Sequence, residues 1–159
     1  MKRFLLPILF AALALCLVSC ESEKALELVN QEAAIDKYIT GKYADNTIVR
    51  NDGANRVVVT PGTGAELAAG DTVDMQLDGY IFSSGPGTQF LSENVRSVVG
   101  KGKLLKGLDS GLIGVQAGES SVILFSAKYG YYDESVGVVP PMSPLLFMVT
   151  VNEIVKSKN

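Results

Sequence analysis

The 159-residue sequence contains no histidine, no tryptophan and two cysteines, at positions 16 and 20. Without histidine, a Ser-His-Asp triad cannot be built and a zinc site loses one of its usual ligand types. Both cysteines fall in or at the end of an N-terminal leader, so no thiol remains for a disulfide, a metal or a nucleophile. We therefore expect no metal and no cofactor, and any catalysis has to use other groups.

Positive charge is also scarce. The chain has 14 Lys and Arg against 17 Asp and Glu, a net charge of −3, and no run of basic residues. Nucleic-acid binding depends on neutralising phosphates with Lys and Arg, so we do not expect a nucleic-acid partner. With 47% hydrophobic and 19% charged residues, the composition is typical of one globular domain with a short appendage.

Residues 1–19 predict a lipoprotein signal peptide. Lys2 and Arg3 precede an apolar run that ends at Val18 and is too short for a bilayer span of about 20 residues. The sequence Leu17-Val18-Ser19-Cys20 resembles a bacterial lipobox, in which the cysteine is lipidated and becomes the new N-terminus. The alternative is an ordinary secretory leader with an incidental cysteine. A lipid on Cys20 implies a membrane partner and a place in the cell envelope, on the outer membrane facing the periplasm or the cell surface.

Residues 20–46 predict the anchor and one helix, from an N-cap at Ser22 to about Tyr43, with Gly41 near its end. A mostly apolar stripe recurs at a spacing of three to four residues. It comprises Ala25, Leu28, Glu32, Ile35 and Ile39. This helix is either a spacer that packs loosely on the domain or a dimerising arm.

Residues 47–157 form the predicted main domain, which is rich in β-branched residues and turns. We expect a hairpin around Asn51-Asp52-Gly53, a loop that begins at 83–88 and extends to residue 94, and a short helix at 106–115. The predicted strands cover residues 47–49, 56–60, 73–82, 120–127 and 145–155. The fold class is α+β: an antiparallel sheet curled over one short helix, with an extra N-terminal helix. The acidic pairs Asp74/Asp78 and Asp133/Glu134 are interpreted as solvated charge.

Five segments follow one another in a distinctive order between residues 47 and 155. They are Gly64 with Gly70-Asp71-Thr72-Val73, Gly79, Gly100 to Gly107 with Leu104-Leu105, Gly111 to Glu119, and Tyr131 followed by Val139-Pro140-Pro141 and Leu145-Leu146-Phe147. In this order they resemble the FKBP-type peptidyl-prolyl isomerase domain. The resemblance implies an FKBP-like fold and a pocket made of apolar and aromatic side chains, which needs neither histidine nor metal.

The resemblance also implies which residues build the pocket. The expected catalytic residues are Leu104, Leu105, Tyr131, Val139 and Phe147. The expected substrate-binding residues are Leu77, Phe90, Leu108 and Val138. Three positions depart from the family pattern: Leu77 replaces an aromatic residue, Leu91 stands where the family has an aspartate, and Leu108 replaces the tryptophan of the pocket floor.

Three functions are compatible with these residues. The first is a prolyl isomerase or folding factor acting on proline-containing polypeptide segments, with activity reduced by the three leucines. The second is a non-catalytic adaptor that uses the same cleft, or the sheet edge, to hold an envelope protein. The third is a purely structural lipoprotein.

Overall fold

The computed structural model describes the backbone of residues 5–158 and the side chains of residues 21–158. The predicted signal peptide, residues 1–19, and the predicted lipidation site, Cys20, lie outside the described side chains. The elements are helices α1 (Leu5–Lys42) and α2 (Lys106–Leu112) and strands β1 (Thr47–Asn51), β2 (Ala54–Thr60), β3 (Thr72–Phe82), β4 (Pro86–Val98), β5 (Ser120–Phe125) and β6 (Leu145–Val155).

The six strands form one sheet in the order β1-β2-β5-β6-β3-β4, with every neighbouring pair antiparallel. The predicted α+β class, with a curled sheet, one short helix and an extra N-terminal helix, is therefore confirmed. The predicted β1–β2 hairpin is also present. Its two turn residues, Asp52 and Gly53, have φ values of 41° and 81°, as the twist of a tight hairpin requires.

The predicted loop at 83–94 is wrong in extent. Strand β4 already begins at Pro86, which pairs with Phe82, so only residues 83–85 separate β3 from β4. Because β4 is the last strand of the sheet, the missing N–H of Pro86 and the flexibility of Gly87 are tolerated there. Helix α2 ends at Leu112 rather than 115, because Ile113 is already extended and Gly114 has a φ of 84°.

Helix α1 starts well before Ser22, which is therefore not an N-cap. The second half of α1 packs closely on the outer face of the sheet rather than loosely. Ile39 is 0% exposed, and together with Ile35 it contacts buried side chains of β2, β5 and β6. Within the predicted stripe, Ile35 and Ile39 are buried, whereas Ala25 and Glu32 are exposed. Gln31, which is not part of the predicted stripe, is also buried. In the part of the chain that the structure describes, no helix is both long enough and apolar enough to cross a membrane.

The inner face of the sheet carries the main core. The predicted alternation in β3 and β6 is confirmed. Val73, Met75 and Leu77 of β3 are buried in one core with Val149 and Val151 of β6 and with Leu108 and Leu112 of α2. Gly107 allows α2 to approach the sheet, because a Cβ atom there would lie 2.2 Å from the ring of Phe125. A buried ion pair of 2.6 Å between Arg56 and Glu119 joins β2 to the turn before β5.

Candidate functional site

A cleft of about 480 Å³ opens between the inner face of the sheet, the start of α2 and the segment that carries Tyr131. This volume is within the range of small-molecule sites, about 300–1,000 Å³. The cleft is lined by Leu77, Leu91, Glu93, Val95, Arg96, Ser97, Lys103, Leu104, Leu105, Leu108, Tyr131 and Phe147.

Six of the nine residues predicted for the pocket line this cleft. Leu77, Leu108 and Phe147 are almost fully buried and form its apolar floor. Leu104, Leu105 and Tyr131 are partly exposed and form its walls. The segment from 104 to 108 contributes three of them because α2 begins there, with Leu105 as its extended N-cap residue.

Phe90 supports the cleft from behind rather than lining it. Its ring packs edge-on against Tyr131, at 6.4 Å between centroids, and against Phe147, at 5.7 Å. Phe147 in turn stacks on Phe125 at 5.7 Å. Such aromatic contacts add about 0.5–1.5 kcal/mol each beyond burial, so this cluster fixes the orientation of the Tyr131 and Phe147 rings.

Gly79 in β3 leaves the space that this ring cluster occupies. A Cβ atom at Gly79 would lie 2.8 Å from Phe90 and 2.9 Å from Phe147, both closer than side chains approach one another. The sequence therefore needs glycine at this position if the two rings are to meet across the strand.

Two predicted pocket residues do not reach the cleft. Val139 is buried in the core and exchanges two backbone hydrogen bonds with Val136, whereas Val138 is 64% exposed. Neither is among the lining residues. Successive residues of an extended segment point to opposite sides, so the two side chains do not face the same way. Val139 therefore turns into the core and Val138 turns into solvent.

Six lining residues were missed, and five of them lie on β4. Four of these five, Leu91, Glu93, Val95 and Ser97, occur at every second position and so share one face of the strand. This period-two pattern was visible in the sequence but was overlooked because the residues before it were interpreted as a loop. The fifth β4 residue, Arg96, and Lys103, which follows the strand, place positive charge at the rim.

Several charged groups in and beside the cleft pair with other protein groups. Arg96 lies 3.6 Å from Asp74 and 3.5 Å from Glu153. Asp78 accepts a hydrogen bond of 2.5 Å from Ser92, and Asp133 forms an ion pair with Lys24 at 3.0 Å. Among the described side chains, no group of three or more His, Cys, Asp or Glu residues could hold a metal ion.

Tyr131 is the group of the cleft best suited to donate a hydrogen bond from an apolar wall. Burial raises the pKa of its phenol above the ordinary value of 10.0, so the hydroxyl is protonated at neutral pH. Among the lining residues that the structure describes, the one carboxylate is Glu93, which is exposed. The chemistry available is therefore an apolar floor with the neutral hydroxyl of Tyr131, bordered by the charged side chains of Glu93, Arg96 and Lys103.

Comparison with known proteins agrees with this arrangement. The family model described as FKBP-type peptidyl-prolyl cis-trans isomerase matches residues 63–152. FK506-binding protein 1 of Aspergillus oryzae is 31% identical over 118 residues, an alignment that covers 64% of this chain and 98% of that protein. FK506-binding protein 1B of Neurospora crassa is 31% identical over 106 residues, covering 61% of this chain and 94% of that protein.

Solved structures show the same fold. The N-terminal domain of FKBP42 from Arabidopsis thaliana aligns with a TM-score of 0.63 at 21% identity, covering 70% of this chain and 94% of that domain. The three FKBP domains of wheat FKBP73 align with a TM-score of 0.62 at 21% identity, covering 70% of this chain and 50% of that protein. By its sequence match, its fold and its apolar cleft, the chain belongs to the FKBP-type peptidyl-prolyl cis-trans isomerase family.

Proposed function

We propose that the cleft binds proline-containing segments of extended polypeptides and catalyses cis–trans isomerisation of their X-Pro bonds. The observation that carries this proposal is the convergence of Leu104, Leu105, Tyr131 and Phe147, from distant parts of the chain, on one apolar cleft of about 480 Å³. Isomerisation is the activity of the family, and no charged catalytic residue is needed for it.

The reaction suits such a cleft. An X-Pro bond rotates against a barrier of about 18–20 kcal/mol, because amide resonance has to be broken. An apolar site strips water from the carbonyl and so disfavours the charge-separated resonance form of the planar amide. The twisted amide is then bound better than the planar one, which is the condition for catalysis. Tyr131 supplies a neutral hydroxyl that can hydrogen-bond a substrate carbonyl.

We expect the activity to be lower than is usual for the family. Leu77, Leu91 and Leu108 stand where the family has an aromatic residue, an aspartate and a tryptophan. An aromatic contact contributes about 0.5–1.5 kcal/mol and a buried polar contact about 1–3 kcal/mol. Each 1.36 kcal/mol of lost transition-state stabilisation lowers the rate about tenfold. Losing the aromatic floor at Leu108 and the polar contact at Leu91 therefore implies a loss between about tenfold and about two-thousandfold.

A proline-peptide isomerisation assay on the purified full chain tests the proposal. Tyr131→Phe removes the hydroxyl and keeps the ring, so kcat/KM should fall about tenfold, the cost of one hydrogen bond. Tyr132→Phe is the matched control: its ring is exposed and does not line the cleft, so its kcat/KM should match the wild type. Absence of catalysis above background at high protein concentration would refute the isomerase.

A second candidate is a non-catalytic adaptor that holds an envelope protein in the same cleft. The leucines at 77, 91 and 108 favour it, since they keep an apolar surface while removing side chains tied to turnover in the family. A proline-containing peptide titrated into the protein distinguishes the two functions. Saturable binding that Leu104→Glu abolishes, with no catalysis, would establish the adaptor; catalysis that follows the same titration would rule it out.

The lipid-anchored, cell-envelope setting is a further part of the proposal and rests on the sequence of residues 1–20. The curated relatives named above are fungal and give no support to a bacterial lipoprotein. In a bacterial host, labelled palmitate should be incorporated into the wild type and not into Cys20→Ser. Equal labelling of the two proteins, or none in either, would refute the anchor.

A further inference from the structure

Four hydrogen bonds form a closed ring that ties α1 to both ends of the segment carrying Tyr131. Gln31 Oε1 accepts from the Ala127 N–H at 2.9 Å, and the Ala127 carbonyl accepts from the Tyr132 N–H at 2.9 Å. The Tyr132 carbonyl accepts from the Met142 N–H at 2.6 Å, and the Met142 carbonyl accepts from Gln31 Nε2 at 2.7 Å. One side chain of α1 thus closes residues 127–142 into a loop with a fixed base.

Gln31 is well suited to this role. It is only 8% exposed, and it lies four residues before Ile35 and eight before Ile39, on the face of α1 that packs against the domain. The amide has to donate to one backbone group and accept from another, which neither a carboxylate nor an apolar side chain of similar length can do. Loss of the amide would leave a buried N–H and a partly buried carbonyl without their partner.

The ring also contains the two strained residues of this segment. Tyr132 has a φ of 55° and Met142 a φ of 56°, a region that residues other than glycine rarely adopt. Such conformations persist when the surrounding structure holds them in place. Tyr132 and Met142 each use both the N–H and the C=O group in the hydrogen-bond ring. Tyr131 directly precedes Tyr132.

We infer that Gln31 is a positioning residue for the cleft: by closing the hydrogen-bond ring, it holds Tyr131 against Phe90 and in the cleft wall. The inference rests on the proposed function in so far as the cleft is taken to bind proline-containing peptides. Residue 31 lies outside the span 63–152 matched by the family model, so in this chain the extra N-terminal helix contributes to the site.

The test compares Gln31→Met with Ile39→Val in the full chain. Gln31→Met keeps the length of the side chain but removes the amide, and so opens the hydrogen-bond ring. Ile39→Val loosens the same helix against the sheet at a position whose core neighbours lie outside residues 127–142. For Gln31→Met, the dissociation constant of a proline-containing peptide should rise about tenfold, as for the loss of one buried hydrogen bond. The amides of Ala127, Tyr132 and Met142 should also exchange with solvent faster. Ile39→Val should change neither quantity, and circular dichroism verifies that both variants are folded.

A rescue variant separates positioning from general stabilisation. Glycine adopts a φ near 55° without strain, so Gln31→Met combined with Tyr132→Gly should recover most of the lost affinity. Three results would overturn the inference: unchanged exchange and affinity in Gln31→Met, faster exchange with unchanged affinity, or an equal loss of affinity in Ile39→Val. If the wild type binds no proline-containing peptide, the proposed function fails, and the positioning role fails with it. Faster amide exchange in Gln31→Met would in that case still show that Gln31 closes the hydrogen-bond ring.

Discussion

Among single residues, Gly79 illustrates how a small side chain can define an apolar site. Its missing Cβ is the space in which the rings of Phe90 and Phe147 meet, and these rings orient Tyr131. The match to the family motif indicated that a glycine belongs here. The reason is visible only when the rings of β4 and β6 are placed across β3.

Gly79→Ala should therefore destabilise the protein by about 1–3 kcal/mol, as expected for overpacking, and weaken binding of a proline-containing peptide. Urea unfolding measures the first effect and peptide titration the second. Gly41→Ala is the matched control, since a Cβ atom there meets nothing within 4 Å. That change should leave binding as it is and keep or slightly raise stability, because alanine favours helix. Equal stability of the two variants would contradict the packing argument.

The individual pocket residues were predictable to the extent that sequence motifs fix them. Leu104, Leu105 and Leu108 surround the start of α2, and Tyr131 and Phe147 lie in family motifs. The positions of these residues in the chain were therefore enough to place them at the cleft. Val138 and Val139 were not predictable in this way, because the motif does not say which side of an extended segment faces the cleft.

Among the elements, α1 departs most from expectation. Its periodic residues predicted an appended helix, but Ile35 and Ile39 share a core with β2, β5 and β6. The sequence pattern revealed an apolar face. What that face contacts was not predictable, because the outer face of the sheet is assembled from strands far apart in the chain.

Ile39→Ala should lower the free energy of unfolding by about 2–5 kcal/mol, the usual cost of a large-to-small change in a packed core. Leu26→Ala, on the same helix at a position that is 62% exposed, should change it by less than about 0.5 kcal/mol. Chemical denaturation of both variants is the measurement. A similar small effect in both would mean that α1 is only loosely attached in solution.

Strand β4 differs from α1, because the sequence pattern needed to predict the strand was present but was interpreted as a loop. Glycine, proline and serine before residue 88 favoured a loop, and the alternation of Leu91, Glu93, Val95 and Ser97 was overlooked. Edge position explains the difference, since an edge strand tolerates residues that an interior strand excludes.

At the scale of the whole molecule, the C-terminal end of the chain is tied to the turn before β3. Lys156 lies 2.5 Å from Asp71, and the Ser157 and Ala68 N–H groups each donate to the same carboxylate at 2.8 Å. The Lys156 contact, followed by the two backbone donors, lowers the pKa of Asp71 from 3.8 to about 2. These interactions hold the start of β3 and the end of β6 together, at the end of the sheet remote from the 83–85 turn.

This tie predicts an acid-dependent loss of stability. Because the folded pKa is below the unfolded one, the contribution is complete above about pH 4 and is lost as the pH falls toward 2. Urea midpoints measured across this range should fall for the wild type. For Asp71→Asn, the midpoint should be lower at neutral pH and fall less steeply on acidification. Asp133→Asn, which removes an exposed ion pair with Lys24, is the control and should follow the wild-type curve closely.

Sequence patterns were sufficient to predict the α+β class, the β1–β2 hairpin, the alternation in β3 and β6, and the short helix α2. These features depend on local turns, side-chain period and ordered motifs. Tertiary structure alone decided the sheet order, the docking of α1, the cleft and the ring through Gln31. Each of these joins residues more than 50 positions apart in the chain, such as Gln31 and Ala127. Local physical preferences cannot specify which distant surfaces meet; only the packing of the complete chain does.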